Sequence, residues 1–211
     1  MIIAVTGTDT GVGKTYVTTR LIASLRRRGL DAIGLKPLET GWAEATSDAQ
    51  ALATASGRSL SATVYRTYAL PAAPAVAAAA VGETIDPALL VDWCRNGAAA
   101  GLTLLEGAGG WLVPLGPGLL FADLVCELEA PVLLVAPARL GAINHTLLSA
   151  ESIVRRGCRL LAIAVSVRAE DDRDLAASNL REIEARAEAP VYSVPAQLEQ
   201  LASTVQVAAH L

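Results

Sequence analysis

Residues 2–15 (Ile2-Ile3-Ala4-Val5-Thr6-Gly7-Thr8-Asp9-Thr10-Gly11-Val12-Gly13-Lys14-Thr15) constrain this chain more than any other stretch. The opening apolar run has the β-branched character of a strand buried on both faces. Glycines and small polar residues follow it, then Gly-Lys-Thr, then apolar residues at helical spacing (Val17, Leu21, Ile22, Leu25). Strand, glycine loop and helix in that order make a phosphate-binding loop. The loop turns backbone N–H groups inward around phosphate oxygens, and the helix N-terminus adds partial positive charge. Lys14 is placed to reach terminal phosphates and the Thr15 hydroxyl to ligate Mg²⁺. One irregularity stands out: the usual spacing puts glycine at the position of Thr8, and here Gly7 stands one residue earlier.

At 211 residues the chain suits a single α/β domain, residues 1–211, with ample length for a core. Hydrophobic residues make up 53% but aromatics only 4%, the profile of Ala-rich helices packed on Val/Leu/Ile strands. A net charge of −4 offers no basic surface, which excludes nucleic acid as a partner. The strand starts at Ile2 with no basic leader, and no apolar run reaches about 18 residues, so a soluble, cytoplasmic protein without a membrane partner is expected. Cys94, Cys126 and Cys158 lack the spacing of a zinc or redox motif and are expected to be buried free thiols. His145 and His210 are too far apart in sequence to suggest a metal cluster, and His210 is expected to be inert at the C-terminus.

Strand and helix signals alternate along the whole chain. The first helix is expected over residues 15–28, with Arg26-Arg27-Arg28-Gly29 as a dipole-complementing end rather than a polyanion site. A second strand is expected over residues 31–36, closed by Pro37, and a helix starting near Ser47-Asp48. An Ala-rich stretch at 75–80 follows a proline-punctuated connection, and a helix starting at Pro87 runs to about 97. Later strands are expected at 102–106, 131–136, 160–167 and 191–194, with helices near 121–129, 143–156 and 175–188 and a short amphipathic tail. The expected fold is one doubly wound domain: a mostly parallel sheet with helices on both faces and ligand sites at the carboxyl ends of its strands.

On that scheme the phosphate loop follows the first strand, Lys36 ends the second, and Glu106 ends the strand before Gly107. These ends share one sheet edge and can face one crevice. Glu106 closes an apolar run, where a carboxylate is costly unless paired or metal-bound. It reads as a Mg²⁺ ligand or as a salt-bridge carboxylate. Asp48 reads equally as ligand or as neighbour of an N-cap. Lys36 either extends to solvent or joins Lys14 in stabilising anionic charge that develops during transfer.

Five segments together resemble the ATP-dependent dethiobiotin synthetase family, whose fold is of the P-loop NTPase kind. They are residues 6–15, Lys36-Pro37 with Thr40-Gly41, Ser47-Asp48-Ala49, Glu106-Gly-Ala-Gly-Gly-Trp111 and Leu140-Gly-Ala-Ile-Asn-His145, in family order over nearly the whole chain. The family's extended first motif also accounts for the displaced glycine. The resemblance implies that ATP is the co-substrate, Mg²⁺ the cofactor and 7,8-diaminononanoate with CO₂ the substrates, giving dethiobiotin, a step of biotin biosynthesis. Gly11, Val12, Gly13, Lys14, Thr15 and Tyr16 would wrap the phosphates, and Thr15, Asp48 and Glu106 would hold the metal. Lys14, Lys36 and Thr10 would act on the reacting groups, with Gly107, Ala108 and Gly109 completing the nucleotide site.

The same resemblance places Thr40 and Gly110 beside the substrate, with Gly109, Trp111 and Pro114 in its wall. Leu140, Gly141, Ala142, Ile143 and Asn144 would bind the substrate carboxylate at a helix N-terminus serving the partner subunit, which implies a homodimer. His145 is assigned to packing. Some members place an Asn after the late strand to read adenine. Here Ser166-Val167 stands there, with Pro195, Ala196 and Gln197 as the remaining base wall, and relaxed base selectivity is expected. A partition- or septum-type ATPase switch is the alternative, but the signature lysine of that class is replaced by Asp9. A second alternative is a catalytically silent nucleotide-binding module.

Overall fold

The computed structural model describes residues 1–98 and 101–209. Strand β1 (Ile2–Gly7) leads through the glycine loop into α1 (Lys14–Arg27), then β2 (Ala32–Thr40), α2 (Asp48–Ser56) and β3 (Val64–Tyr68). Helices α3 (Pro74–Ala80) and α4 (Pro87–Gly97) precede β4 (Leu102–Gly110), and the short strands β5 (Pro114–Gly116) and β6 (Leu119–Leu120) form a hairpin. The rest alternates: α5 (Phe121–Glu127), β7 (Val132–Pro137), α6 (Ala142–Arg155), β8 (Leu160–Ser166), α7 (Arg173–Glu184), β9 (Val191–Val194) and α8 (Leu198–Ala209).

The main sheet is parallel throughout, in the order β3-β2-β4-β1-β7-β8-β9. Its two faces follow from the period-2 alternation of strand side chains. Ile3, Val5, Leu104, Leu133 and Val135 pack with Val17, Leu21 and Ile22 of α1 and Leu201 and Val205 of α8. Their sequence neighbours Ala4, Leu105 and Leu134, with Ile163 and Val165, pack with Leu90 of α4, Leu124 of α5, Ile153 of α6 and Ile183 of α7. Both faces are covered, which is why the strands read as unbroken apolar runs rather than alternating ones. The chain runs outward from β1 to β2 and β3, returns to insert β4 beside β1, and continues on the far side with β7. The crevice at that reversal is where doubly wound sheets bind ligands.

Three differences from the sequence reading have plain causes. Strand β2 does not stop at Pro37 but continues to Thr40. The Lys36 amide donates toward β3, to the Thr63 carbonyl at 2.8 Å, so the Pro37 nitrogen faces the β4 side. There the ladder already ends at Leu35 and Leu105, and the missing N–H costs nothing. Edge strand β3 and the β5–β6 hairpin escape detection because the first is half exposed and carries Arg66, and the second is too short to show a period. The tail is a full helix, α8, whose Leu201, Ala202, Val205 and Ala208 are buried on the sheet.

The cysteines also differ from expectation. Cys94 is a buried free thiol, but Cys126 and Cys158 are half-buried and lie side by side. His145 is exposed on α6 rather than packed inside, and His210 lies outside the described residues. No helix among the described residues is long and apolar enough to cross a membrane.

Candidate functional site

A cleft of about 670 Å³ opens at the carboxyl ends of β1, β2 and β4. Its floor is the phosphate loop. Gly13 caps α1 with φ 98°, a left-handed conformation that glycine adopts without strain. A Cβ there would also lie 2.4 Å from the Ser166 hydroxyl oxygen, so a larger residue is excluded twice over. Gly7 ends β1 against Val12 and the Lys14 stem, where a Cβ would come within 2.8 Å of Val12. The displaced glycine therefore has a packing role of its own.

Lys14 is the first residue of α1 and almost fully buried, and its ammonium donates to the Asp9 carbonyl at 3.0 Å. Burial, and then the nearby Lys36 ammonium, push its pKa down to about 8, against the weaker pull of Glu106, Asp48 and Asp9.

Lys36 and Glu106 stand one step beyond Leu35 and Leu105, the last residues paired between β2 and β4. They emerge as neighbours where the two strands diverge. The Lys36 ammonium donates to Glu106 Oε1 at 2.7 Å, to Asp48 Oδ2 at 3.2 Å and to the Gly107 carbonyl at 3.2 Å. Burial alone would lower its pKa, but the two carboxylates outweigh burial and hold it raised. Burial likewise opposes ionisation of Asp48, and Lys36 and the Thr15 hydroxyl outweigh it, holding that carboxyl below its usual range.

The Thr15 hydroxyl lies 2.6 Å from Asp48 Oδ1 and 2.9 Å from Glu106 Oε1. Glu106 is fully buried, and its Oε2 has no hydrogen-bond partner. A hydroxyl, two converging carboxylates and an orphaned buried oxygen fit a hard divalent cation with oxygen ligands. These residues could hold Mg²⁺.

Most sequence-predicted residues meet in this cleft. Thr10, Gly11, Gly13, Lys14, Thr15, Tyr16, Lys36, Thr40, Asp48, Ala108, Gly109 and Gly110 line it. Val12 lies buried beneath the loop. The Tyr16 ring is covered by the Arg20 guanidinium, 3.7 Å from its centroid.

Other residues stand elsewhere. Ser166 is buried under Gly13 with its hydroxyl unpartnered, and Val167, Pro195, Ala196 and Gln197 do not line the cleft. The Gln197 side chain accepts from the Ser193 amide at 2.8 Å, bracing the end of β9. Trp111 is buried edge-on against Phe121, 6.4 Å between centroids, because the β5–β6 hairpin folds it into the core. Pro114 is exposed in that hairpin and does not line the cleft, whereas Val113 does. Leu140, Gly141, Ala142, Ile143 and Asn144 form the start of α6, outside this cleft, with Leu140 86% exposed.

Sequence reasoning missed two residues. Glu39 is almost fully buried and accepts from the Ser47 hydroxyl (2.9 Å), the Asp48 amide (2.7 Å) and the Ala49 amide (3.1 Å). It thereby fixes the start of α2 and aims Asp48 at Thr15. A carboxylate at the end of an apolar strand was the available signal, the same one that drew attention to Glu106. Arg168, just past β8, lines the cleft and donates to the Gly11 carbonyl. No motif flagged it.

A family model described as an AAA domain matches residues 2–206. The ATP-dependent dethiobiotin synthetase BioD of Anaeromyxobacter dehalogenans (strain 2CP-C) is 44% identical over 183 residues, 85% of this chain and 82% of the relative. Those of Haloferax mediterranei and Cellvibrio japonicus are 40% and 38% identical, covering 91% and 98% of this chain and 82% and 93% of theirs. Among solved structures, a ParA family ATPase from Chlorobium tepidum TLS superposes with a TM-score of 0.54 at 12% identity, covering 99% of this chain and 91% of that one. The signal recognition particle receptor FtsY from Elizabethkingia anophelis gives 0.51 at 19%, covering 97% of this chain and 64% of that one. The two structural likenesses speak for the fold alone, whereas identity of this extent over most of both chains speaks for kinship: the chain belongs to the ATP-dependent dethiobiotin synthetase family.

Proposed function

We propose that this protein is an ATP- and Mg²⁺-dependent dethiobiotin synthetase, closing a ureido ring from 7,8-diaminononanoate and CO₂ with release of ADP and phosphate. The observation that carries the reading is the meeting of two buried ammonium groups, Lys14 and Lys36, with Thr15 and Asp48 at one strand-end cleft, with Glu106 buried against Thr15 and Lys36. In the reaction a substrate amine takes up CO₂ to give a carbamate. A carbamate oxygen attacks the γ-phosphorus of ATP, expelling ADP, and the second amine then attacks the activated carbon and expels phosphate. Negative charge grows on carbamate and phosphoryl oxygens, and no protein nucleophile is needed.

The residues have separable tasks. Backbone N–H groups of residues 11–15 hold the phosphates, and Lys14, short of counter-charge, pairs with the terminal ones. Lys36 opposes the charge of the carbamate from the other wall, with Thr10 and Thr40 beside the reacting centre. Thr15, Asp48 and Glu106 would hold Mg²⁺, which when bound neutralises phosphate oxygens and draws them into line. The remaining work is alignment and exclusion of water.

The start of α6 lies outside this cleft, and its exposed Leu140 and uncapped N-terminus suit a role at a partner subunit's site. A homodimer with shared substrate sites follows from that reading. The test is phosphate release with and without diaminononanoate and bicarbonate. Release that requires both supports the reading; equal release without the diamine would leave only a nucleotide hydrolase.

A further inference from the structure

Cys126 closes the last turn of α5, and Cys158 lies in the turn after α6, 32 residues further along the chain. Their Sγ atoms are 2.6 Å apart, and both side chains are half-buried. They line a second cavity, about 690 Å³, shared with Met1, Pro131, Arg156 and Arg159. Met1 and Pro131 precede β1 and β7, so this cavity lies at the amino-terminal edge of the sheet, opposite the nucleotide cleft. Nothing in the proposed carboxylation uses these thiols. Sequence spacing hides the pair, because two different helix ends bring it together.

From this juxtaposition we infer that Cys126 and Cys158 form an oxidisable dithiol that closes to an intrachain disulfide by exchange with a low-molecular-weight disulfide. The cavity admits a small molecule; its wall carries Arg159 and Glu129, and Arg156 pairs with Asp123 at 2.6 Å. The thiolate of one cysteine attacks the small disulfide, forming a mixed disulfide and releasing one small thiolate, which takes up a proton. The second cysteine gives up its proton and attacks the protein sulfur of that mixed disulfide, expelling the second small thiol. The protein loses two electrons and two protons, and one disulfide molecule becomes two thiols.

Burial and the Cys126 neighbour push the Cys158 thiol up to about 12, which disfavours Cys158 as the first attacker and leaves it the intramolecular second step, where the partner sulfur is adjacent. Cys94 has its thiol pushed up to about 12 by burial alone and has no cysteine beside it. It serves as the internal control. The bond would tie the end of α5 to the turn after α6 and restrict the unfolded chain over the intervening segment.

The inference is independent of the nucleotide site and is tested on the whole reduced protein with oxidised glutathione as the probe. Expected are a mass loss of about 2 Da, a peptide linking 126 to 158, and a thiol titre in denaturant falling from three to one. The melting temperature should rise by roughly 5–10 °C, reversed by dithiothreitol. Cys94→Ala should leave the link intact, and Cys158→Ser should stop at a stable glutathione adduct on Cys126. A titre that stays at three, adducts on both cysteines of the wild-type chain, or a bond joining two copies on a non-reducing gel would each overturn the assignment. Because the wild-type chain carries the decisive readout, failure of either variant to fold leaves the test intact.

Discussion

Lys14 and Lys36 open onto the same cleft, are both nearly inaccessible to water, and carry opposite shifts. At the phosphate loop, Lys14 finds a backbone carbonyl and, among the described residues, no carboxylate within bonding range, so burial and the neighbouring ammonium push it down to about 8. At the end of β2, Lys36 is clamped by Glu106 and Asp48, which hold it raised in spite of burial. The difference lies in what each lacks. The phosphate loop is short of negative charge and is completed by an incoming polyphosphate. The end of β2 sets two carboxylates against one ammonium, an excess of negative charge that a bound cation would complete.

Removing Lys36 breaks that contrast most severely. Lys36→Ala leaves Glu106 buried without a cation, so turnover should fall about a thousandfold while nucleotide binding persists, and stability should drop by about 3 kcal/mol. Paired kinetics, calorimetric nucleotide binding and urea unfolding check this. Full activity would remove Lys36 from the mechanism. Glu106→Gln is milder, because it keeps an acceptor for Lys36 and removes a charge from the cation's oxygen set. The Mg²⁺ concentration for half-maximal rate should rise about 10- to 100-fold, read by Mg²⁺ titration.

Acidity sharpens the contrast from the other side. Between about 8 and 10.5 the unfolded chain keeps its Lys14 proton where the folded protein has lost it. The unfolded state then binds more protons, so this group makes ligand-free stability rise with pH across that window. Nucleotide binding runs oppositely, because phosphate oxygens favour the ammonium. Affinity should weaken by up to about tenfold per pH unit above 8, an effect that Lys14→Met abolishes along with most of the affinity.

Smaller effects are expected away from the lysines. Glu39→Gln disturbs the amide and hydroxyl donors that seat Asp48, and should raise the Mg²⁺ requirement about three- to tenfold with little change in nucleotide affinity. Base selectivity should be weakest of all. The Ser166 hydroxyl lies under Gly13, so CTP and GTP should turn over within about a hundredfold of ATP; a larger gap would show that another group reads the base.

The legibility of the site tracks how local each cause is. Gly13, Lys14 and Thr15 are readable because their work is done within one strand–loop–helix unit. Glu106 is legible as a misfit, a carboxylate at the end of the apolar stretch Leu102-Thr-Leu-Leu. Asp48 is ambiguous in sequence because an N-terminal acid satisfies helix rules on its own, and only Thr15 and Lys36 across the cleft distinguish its roles. Trp111 is misplaced by its sequence neighbours, since its burial against Phe121 depends on a hairpin too short to show in a pattern.

By itself the sequence determined that strands buried on both faces would alternate with helices, and that one helix would begin on a glycine loop made for phosphate. Those are consequences of period and of backbone freedom, and they act within a few residues. Tertiary structure alone decided that the β2–β4 ladder ends just before Lys36 and Glu106, pairing a base and an acid 70 positions apart. It also brought Cys126 to Cys158 from two separate helix ends. Both pairings depend on strand order and helix packing, which no local pattern encodes, because the free energy that sets them comes from burying the two faces of the sheet together.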